Sequence, residues 1–449
     1  MKINCFKAYD IRGKLCNDLT PSVVYRISRA YARWLAPKTV VIGGDIRNSS
    51  VALKSIIAGG LRDEGVNVID IGLCGTEEVY FAINHFDCEG GIMVTASHNP
   101  IDYNGMKIAR EKAKPVSSDT GLLDIKSIAE DGNFTDTVKS LRGRYSKASC
   151  FDAYITHLLT YIDQSNLKPL RVVVNSGNGG AGQVLDALES HLPFEFIKVH
   201  HEPDGAFPNG IPNPLLKENR YHTAASVREN NADFGIAWDG DFDRCFLFDE
   251  FGELIEGYYI VGLLAEAFLR KHPNQKIIHD PRLYWNTQDV CKNFDGISIQ
   301  SKCGHSFVKE TMRKEDAIYG GEMSAHHYFR DFYYCDSGMI PWLLIAELLS
   351  ASKGTLSSMI QSKIDRYPCS GEINREIQNV PKTLQRIERF YSDQAVKVGY
   401  FDGLSMTFKG WRFNLRSSNT EPVVRLNVEA TLCELMEAKT EEILGFLTN

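Results

Sequence analysis

The chain has 449 residues, of which 43% are hydrophobic and 24% charged, with a formal net charge of -7. That length exceeds what one hydrophobic core serves and predicts three or four domains. No apolar run approaches the ~18 residues of a membrane span, Met1 to Phe6 lacks a signal-like apolar region, and the eleven cysteines show no paired spacing. A cytoplasmic protein with no membrane partner is expected. The acidic balance and the lack of a basic run also predict no nucleic-acid partner, so an anionic ligand needs a local cluster of cations and N–H groups.

Phe6-Lys7-Ala8-Tyr9-Asp10-Ile11-Arg12-Gly13 reads as a strand that ends in a turn. A recurring pattern follows. The strand 39–42, a helix over 51–61, the strand 66–71 and the strand 92–94 lead to Ser97. The strand 170–174, a glycine turn, a helix over 183–188, the strand 194–199 and the strand 234–238 lead to Asp239. The strand 276–278, a helix over 287–292, the strand 297–299 and the strand 317–319 lead to Glu322. Ligands of open α/β sheets bind at the carboxyl ends of the strands. The pattern therefore predicts three similar α/β mixed-sheet domains, 1–150, 151–253 and 254–366, which pool Ser97, Asp239 and Glu322 around one central cleft. Pro368-Cys369-Ser370-Gly371 reads as a linker, and 367–449 as a smaller C-terminal α+β domain that ends in an amphipathic helix from about Leu432.

Four stretches carry chemistry. Gly90 to Val94 is a buried strand that stops at Thr95-Ala96-Ser97-His98-Asn99-Pro100, where the Ser97 hydroxyl is displayed at a turn. Asp239-Gly240-Asp241-Phe242-Asp243-Arg244 sets three carboxylates at alternating positions between two strands, 234–238 and 245–248. They would repel one another without a cation, and hard oxygen ligands suit Mg²⁺ or Ca²⁺. Glu250 falls twelfth from Asp239, as in a calcium loop, but Arg244 takes the sixth place where glycine is needed, so an EF-hand is rejected. Arg416-Ser417-Ser418-Asn419-Thr420-Glu421-Pro422 can offer a forked cation, hydroxyls and turn N–H groups to a phosphate. Gly177-Asn178-Gly179-Gly180-Ala181-Gly182, with Glu202 twenty residues on, matches a dinucleotide fingerprint and keeps a nicotinamide-dependent oxidoreductase as an alternative. No G-x-x-x-x-G-K-[ST] occurs, so a P-loop is not supported.

In this order, the Thr-Ala-Ser-His-Asn-Pro, Asp-Gly-Asp-Phe-Asp-Arg, Gly-Glu-Met-Ser (321–324) and Arg-Ser-Ser-Asn-Thr-Glu-Pro stretches resemble the phosphoserine, metal, sugar-binding and phosphate-binding loops of the α-D-phosphohexomutase family. The detail of 203–216 and 321–331 is most similar to bacterial phosphomannomutases that supply GDP-mannose for surface polysaccharide. The resemblance implies that mannose 6-phosphate becomes mannose 1-phosphate through a phosphoserine at Ser97 and a hexose 1,6-bisphosphate, which is both intermediate and activator. It implies Mg²⁺ on Asp239, Asp241, Asp243 and the phosphorylated Ser97. Arg12, His98, Lys107 and His305 are implied near the transfer. Arg244, Lys302, Glu322, Ser324, His326, Arg416, Ser418, Asn419, Thr420 and Arg425 are implied around the substrate.

It further implies a monomer or weak homodimer whose cleft closes by movement of the last domain. Phosphoglucomutase or dual-specificity hexose mutase activity is the neighbouring alternative. A non-catalytic sugar-phosphate binder is the remote one, against which the intact serine and aspartates count. Gly44, Ala325 and Asp280-Pro281-Arg282 depart from residues that many relatives carry, arginine, glycine and a Lys-x-Thr-Arg stretch respectively.

Overall fold

The computed structural model describes residues 1–134, 141–377, 379–417 and 423–447. They divide into two compact units, Met1–Leu254 with His326–Lys353, and Ile255–Ala325 with Gly354–Asn449.

The first unit holds two sheets. One has the strands β1 (Ile11–Lys14), β2 (Thr39–Gly44), β3 (Asn67–Leu73), β4 (Gly90–Val94), β5 (Tyr103–Arg110) and β6 (Tyr145–Lys147), in the order β1-β5-β4-β2-β3-β6. The second has β7 (Arg171–Asn175), β8 (Glu195–Val199), β9 (Phe234–Trp238) and β10 (Cys245–Phe248), in the order β10-β9-β7-β8. In the second unit β11 (Lys276–His279) is parallel to both β12 (Ile297–Gln300) and β13 (Tyr319–Gly321). A short antiparallel hairpin, β14 (His327–Phe329) with β15 (Cys335–Asp336), belongs to the first unit. The C-terminal sheet of the second unit has β16 (Ile373–Glu376), β17 (Lys397–Gly399), β18 (Leu404–Thr407), β19 (Trp411–Ser417) and β20 (Val423–Ala430), in the order β16-β20-β19-β18-β17.

The anticipated repeat is physical. In each α/β sheet the first strand of the trio lies in the middle, parallel to the second on one side and to the last on the other: β2 between β3 and β4, β7 between β8 and β9, β11 between β12 and β13. The last strand is followed each time by a polar loop, which starts after Val94, Trp238 or Gly321. β4 and β9 are buried at every position, as their continuous apolar runs require. Antiparallel neighbours, β5 on β4 and β10 on β9, make both sheets of the first unit mixed.

The helix Pro21–Leu35 covers the first sheet. It starts at Thr20, whose hydroxyl accepts the Val23 N–H, with proline at its first position, and stops at Ala36 in the left-handed region. Its inner face, Val23, Val24, Ile27 and Tyr31, lies in one core with Ile42, Ile57, Ile92 and Met106.

Three strands differ from the sequence expectations. The opening stretch is a bend that precedes its strand: Lys7 N–H closes a turn on the Asp10 carbonyl, Phe6 makes a single bridge to Ile11, and β1 begins only there. The strand Tyr103–Arg110 was not anticipated at all, because Asn104, Gly105 and Lys107 interrupt its apolar pattern. The strand placed at 317–319 begins instead at Tyr319.

The glycine-rich turn after β7 is filled by protein. A Cβ on Gly177 would fall 2.3 Å from Pro212, on Gly179 2.9 Å from the Gly240 carbonyl, and on Gly182 2.5 Å from the His201 carbonyl. These glycines serve close packing of the chain on itself, which removes the support for a dinucleotide at that turn.

Candidate active site

Ser97 stands just beyond β4, fully buried, with φ at 49°. The left-handed backbone, which is costly for a residue with a Cβ, turns its side chain away from the line of the strand. Its hydroxyl donates to Asp239 Oδ2 at 2.6 Å and lies 2.9 Å from His98 Nδ1. Thr95 Oγ1 accepts the Ser97 N–H at 2.8 Å. The two loops approach so closely that a Cβ on Gly240 would sit 2.7 Å from the Ser97 carbonyl, so that position requires glycine.

Asp239, Asp241 and Asp243 are all buried, and one ligand atom from each lies within 4.8 Å of the others. Their Oδ2 atoms are engaged. Asp241 Oδ2 accepts from Thr76 Oγ1 at 2.6 Å and Lys107 Nζ at 2.7 Å, and Asp243 Oδ2 also accepts from Lys107. Among the described residues their Oδ1 atoms have no hydrogen-bond partner. Three buried acceptors left unsatisfied would be costly, and a hard divalent cation held by carboxylate oxygens satisfies them, so the residues fit a metal of that class.

Burial pushes the Asp239 carboxyl up to about 6 against the pull of Arg244, with Asp241 and Asp243 adding to the rise. Burial acts the same way on Asp243, but Lys107 and His326 outweigh it and hold that carboxyl well below the ordinary range. Lys107 loses hydration by burial, yet Asp241 and Asp243 raise its pKa overall, so it stays charged.

The flanking side chains are fixed by contacts of their own. Arg244 Nη2 lies 3.0 Å from His98 Nδ1, and its Nε lies 3.3 Å from Asp239 Oδ2. Burial first, then Arg244 and Arg12, hold His98 well below the usual histidine range, so its neutral ring accepts at Nδ1. Arg12 donates to Asp10 Oδ2 at 2.7 Å and to Asn99 Oδ1 at 2.6 Å. His326 Nε2 lies 3.6 Å from Asp243 Oδ1, which places that residue beside the aspartate loop.

Arg47, which no motif marks, organises the serine loop. Only 1% exposed, it donates from Nη2 to the carbonyls of Ser97 (3.0 Å) and Asn99 (2.6 Å), and from Nη1 to those of Pro100 (2.9 Å) and Tyr103 (3.2 Å). Asp45 pairs with its Nε at 3.5 Å. One guanidinium thus ties down the loop that presents the nucleophile.

The second unit gathers another set. Glu322 follows β13, buried, and accepts the Gly304 N–H at 2.7 Å, in the loop that leads from Lys302 to His305 at the start of the helix His305–Glu315. Lys302 is exposed and Ser324 half-buried, beside Ala325 at φ 68°, a left-handed position that favours glycine. Glu322 Oε1 also lies 4.0 Å from Arg282, which donates to Asp280 and to Glu372 Oε2. Glu372 in turn faces Arg425 Nη1 at 3.2 Å and Arg416 Nη2 at 3.7 Å. Arg416 and Arg425 are cross-strand neighbours on β19 and β20. Ser418, Asn419 and Thr420 lie outside the described residues.

Models of four segments of the phosphoglucomutase/phosphomannomutase family match this chain: alpha/beta/alpha domain I at residues 4–136, domain II at 152–252, domain III at 256–367 and the C-terminal domain at 372–444. A phosphomannomutase of Salmonella montevideo is 59% identical, covering 100% of this chain and 99% of its own. A phosphomannomutase of Escherichia coli K12 is 58% identical, covering 99% of each chain. Phosphohexose mutases of Xanthomonas campestris are 55% identical over the whole of both chains. Among solved structures, a phosphoglucomutase/phosphomannomutase family protein of Burkholderia thailandensis is 30% identical, with a TM-score of 0.87 over 98% of this chain and 96% of that one. A serine loop set against three aspartates, the repeated sheets and full-length identity above one half agree, and the chain belongs to the phosphoglucomutase/phosphomannomutase family of α-D-phosphohexomutases.

Proposed function

We propose that this enzyme interconverts D-mannose 6-phosphate and D-mannose 1-phosphate and so feeds GDP-mannose and polysaccharide synthesis. The observation that carries the chemistry is the buried Ser97 hydroxyl at 2.6 Å from Asp239, beside three carboxylate oxygens that accept no hydrogen bond among the described residues. Full-length identity to phosphomannomutases supports the substrate.

In this reading Ser97 rests as a phosphoserine. The phosphoryl group leaves Ser97 Oγ for O1 of mannose 6-phosphate: the P–Oγ bond breaks, the P–O1 bond forms, and the O1 proton is exchanged for one on Oγ. The resulting 1,6-bisphosphate re-binds with its ends exchanged, Ser97 Oγ takes the 6-phosphoryl group, and a proton goes to O6. Mannose 1-phosphate leaves, and the serine is again phosphorylated. Asp239, Asp241 and Asp243 would hold Mg²⁺, which when bound neutralises charge on the transferring phosphoryl oxygens.

The protein's own groups divide the remaining work. Lys107, held charged between Asp241 and Asp243, fixes two of the aspartates and contributes positive charge. Arg12 and Arg47 orient the 96–103 loop through Asn99 and its carbonyls. Because Lys107 and Arg12 stay protonated, His305 is the remaining proton carrier of the three candidates. Glu322 and Ser324 bind sugar hydroxyls, with Lys302 and His326 beside the substrate and Arg244 on its phosphoryl group. Arg416 and Arg425, with Ser418, Asn419 and Thr420, bind the phosphate that is not being transferred. The four segments 1–150, 151–253, 254–366 and 367–449 supply these loops in turn.

Intact-mass analysis tests the central step. A gain of one phosphate after incubation with hexose 1,6-bisphosphate, absent in Ser97→Ala together with mutase activity, is expected. A Ser97→Ala protein that retained even about a tenth of wild-type turnover would make Ser97 a bystander.

A further inference from the structure

Glu372 is the first residue after the linker 368–371, and its carboxylate has three arginines on it. Arg282 Nη1 is 2.5 Å from Oε2, Arg425 Nη1 3.2 Å from Oε1, and Arg416 Nη2 3.7 Å from Oε2. The grip is uneven. Arg282 is anchored from behind, since Asp280 accepts from its Nε at 3.0 Å and its Nη2 at 2.5 Å, whereas the two β-strand arginines meet Glu372 at longer range. The Arg416 side chain is only 7% exposed, and among the described residues its Nε has no hydrogen-bond partner. A carboxylate supplies two oxygens and one charge to three guanidinium groups; a phosphate monoester supplies three oxygens and nearly two charges to the same forks.

We propose that Glu372 is a resident counter-ion in the phosphate site of the second unit: a sugar phosphate binds by displacing its carboxylate from Arg416 and Arg425, and the carboxylate returns when the phosphate leaves. The inference rests on the reading that Arg416 and Arg425 hold the phosphate not being transferred. It adds a competitor built into that site, and the reaction gives the competitor a use. A 1,6-bisphosphate must release one phosphate from the arginines before the other can take its place, so a site that held phosphate too firmly would stall between the two half-transfers. Glu372 keeps the arginines gathered and their charge balanced when no ligand is bound, and shortens the stay of each phosphate. Asp280 does not substitute for it, being committed to Arg282 and to the Met323 N–H at 3.0 Å.

The test is Glu372→Gln, which keeps the shape and removes the charge, with inorganic phosphate as the probe. The inhibition constant of phosphate is expected to fall about tenfold, KM for mannose 6-phosphate to fall with it, and kcat to fall because release slows. The thermal midpoint of the variant should also rise more on adding phosphate than that of the wild type. A purely structural Glu372 gives the reverse, weaker phosphate binding with scattered arginines; that result, or an unchanged inhibition constant, overturns the proposal. Should Glu372→Gln fail to fold, Glu372→Asp carries the test: retracting the carboxylate by one methylene should tighten phosphate about twofold to threefold, and no tightening overturns the proposal. Arg416→Gln separates the two layers. If it leaves phosphate binding intact, the phosphate-site reading itself fails; if it weakens binding while Glu372→Gln does not tighten it, only the role of Glu372 fails.

Discussion

Arg47 offers the sharpest check on how the nucleophile is presented. Its guanidinium makes four hydrogen bonds to carbonyls of the 97–103 loop and one ion pair to Asp45, all with 1% of the residue exposed. Truncation to alanine leaves Asp45 as a buried charge without its partner, a change that costs about 3–5 kcal/mol, much of the stability of a typical domain. Arg47→Lys is therefore the informative variant. An ammonium is a point charge that keeps the pairing with Asp45 but cannot span four carbonyls set on two sides of a planar fork, and we expect it to lose two of them. At about 1 kcal/mol each, the loop loses about 2 kcal/mol of constraint, a factor of about 30 in the population that holds Ser97 ready. Steady-state assay of mannose 6-phosphate turnover should show kcat down by about ten- to thirtyfold with KM changed less than about threefold, since the sugar-binding groups are untouched. A lysine variant with a lowered thermal midpoint but unchanged kcat would refute the argument and reduce Arg47 to a structural residue.

Chelation is expected to stop turnover and Mg²⁺ to restore it, and Asp241→Asn should raise the Mg²⁺ concentration needed for half-maximal activity; full activity after exhaustive metal removal would exclude the metal site. Glu322→Ala should lower kcat/KM by about tenfold for mannose and glucose phosphates alike, because a lost hydrogen bond to a charged acceptor is worth about 1.5–3 kcal/mol; an effect confined to mannose phosphate would show that this loop reads C2. Burial acts to raise the carboxyls of Asp280 and Glu372, but Arg282 in both cases, joined by Arg425 and Arg416 at Glu372, outweighs it and holds both below their ordinary values. Their stabilisation is thus complete above the unfolded values near about 4 and is lost as pH falls through the lower folded values, so the thermal midpoint should drop below pH ~4, and less steeply in Glu372→Gln.

What could be read in advance follows from how local each signal is. Phe234 to Trp238 and Cys245 to Phe248 are apolar runs closed by turn residues and buried at every position, so periodicity alone locates them. Asp239, Asp241 and Asp243 were legible for a related reason: three carboxylates at the end of such a strand conflict with burial unless something else binds there, and the conflict is itself the signal. Tyr103 to Arg110 shows the opposite case. Its central positions carry Asn104, which donates to Ser49 and Ser50, and Lys107, which reaches Asp241 and Asp243. The demands of the site replaced the apolar residues that would have revealed the strand.

Arg47 and Glu372 were hidden for a different reason. Each lies in an unremarkable polar stretch, and each acts on partners that only the fold brings to it: Arg47 on carbonyls about fifty residues later, Glu372 on Arg282 from ninety residues earlier. A motif records side chains that meet a ligand in a fixed local order, whereas a clamp on backbone carbonyls has no partner side chain to leave a pattern, and a counter-ion just past a linker is indistinguishable from solvated charge. The strand order repeated three times explains why the loops at Ser97, Asp239 and Glu322 could nonetheless be picked out as a set in the sequence. Each follows the strand beside the first of its trio, and that placement is set by the parallel topology rather than by the identity of the loop residues. Topology therefore carries the position of the chemistry, local sequence carries its type, and the residues that tune it are those whose partners neither determines.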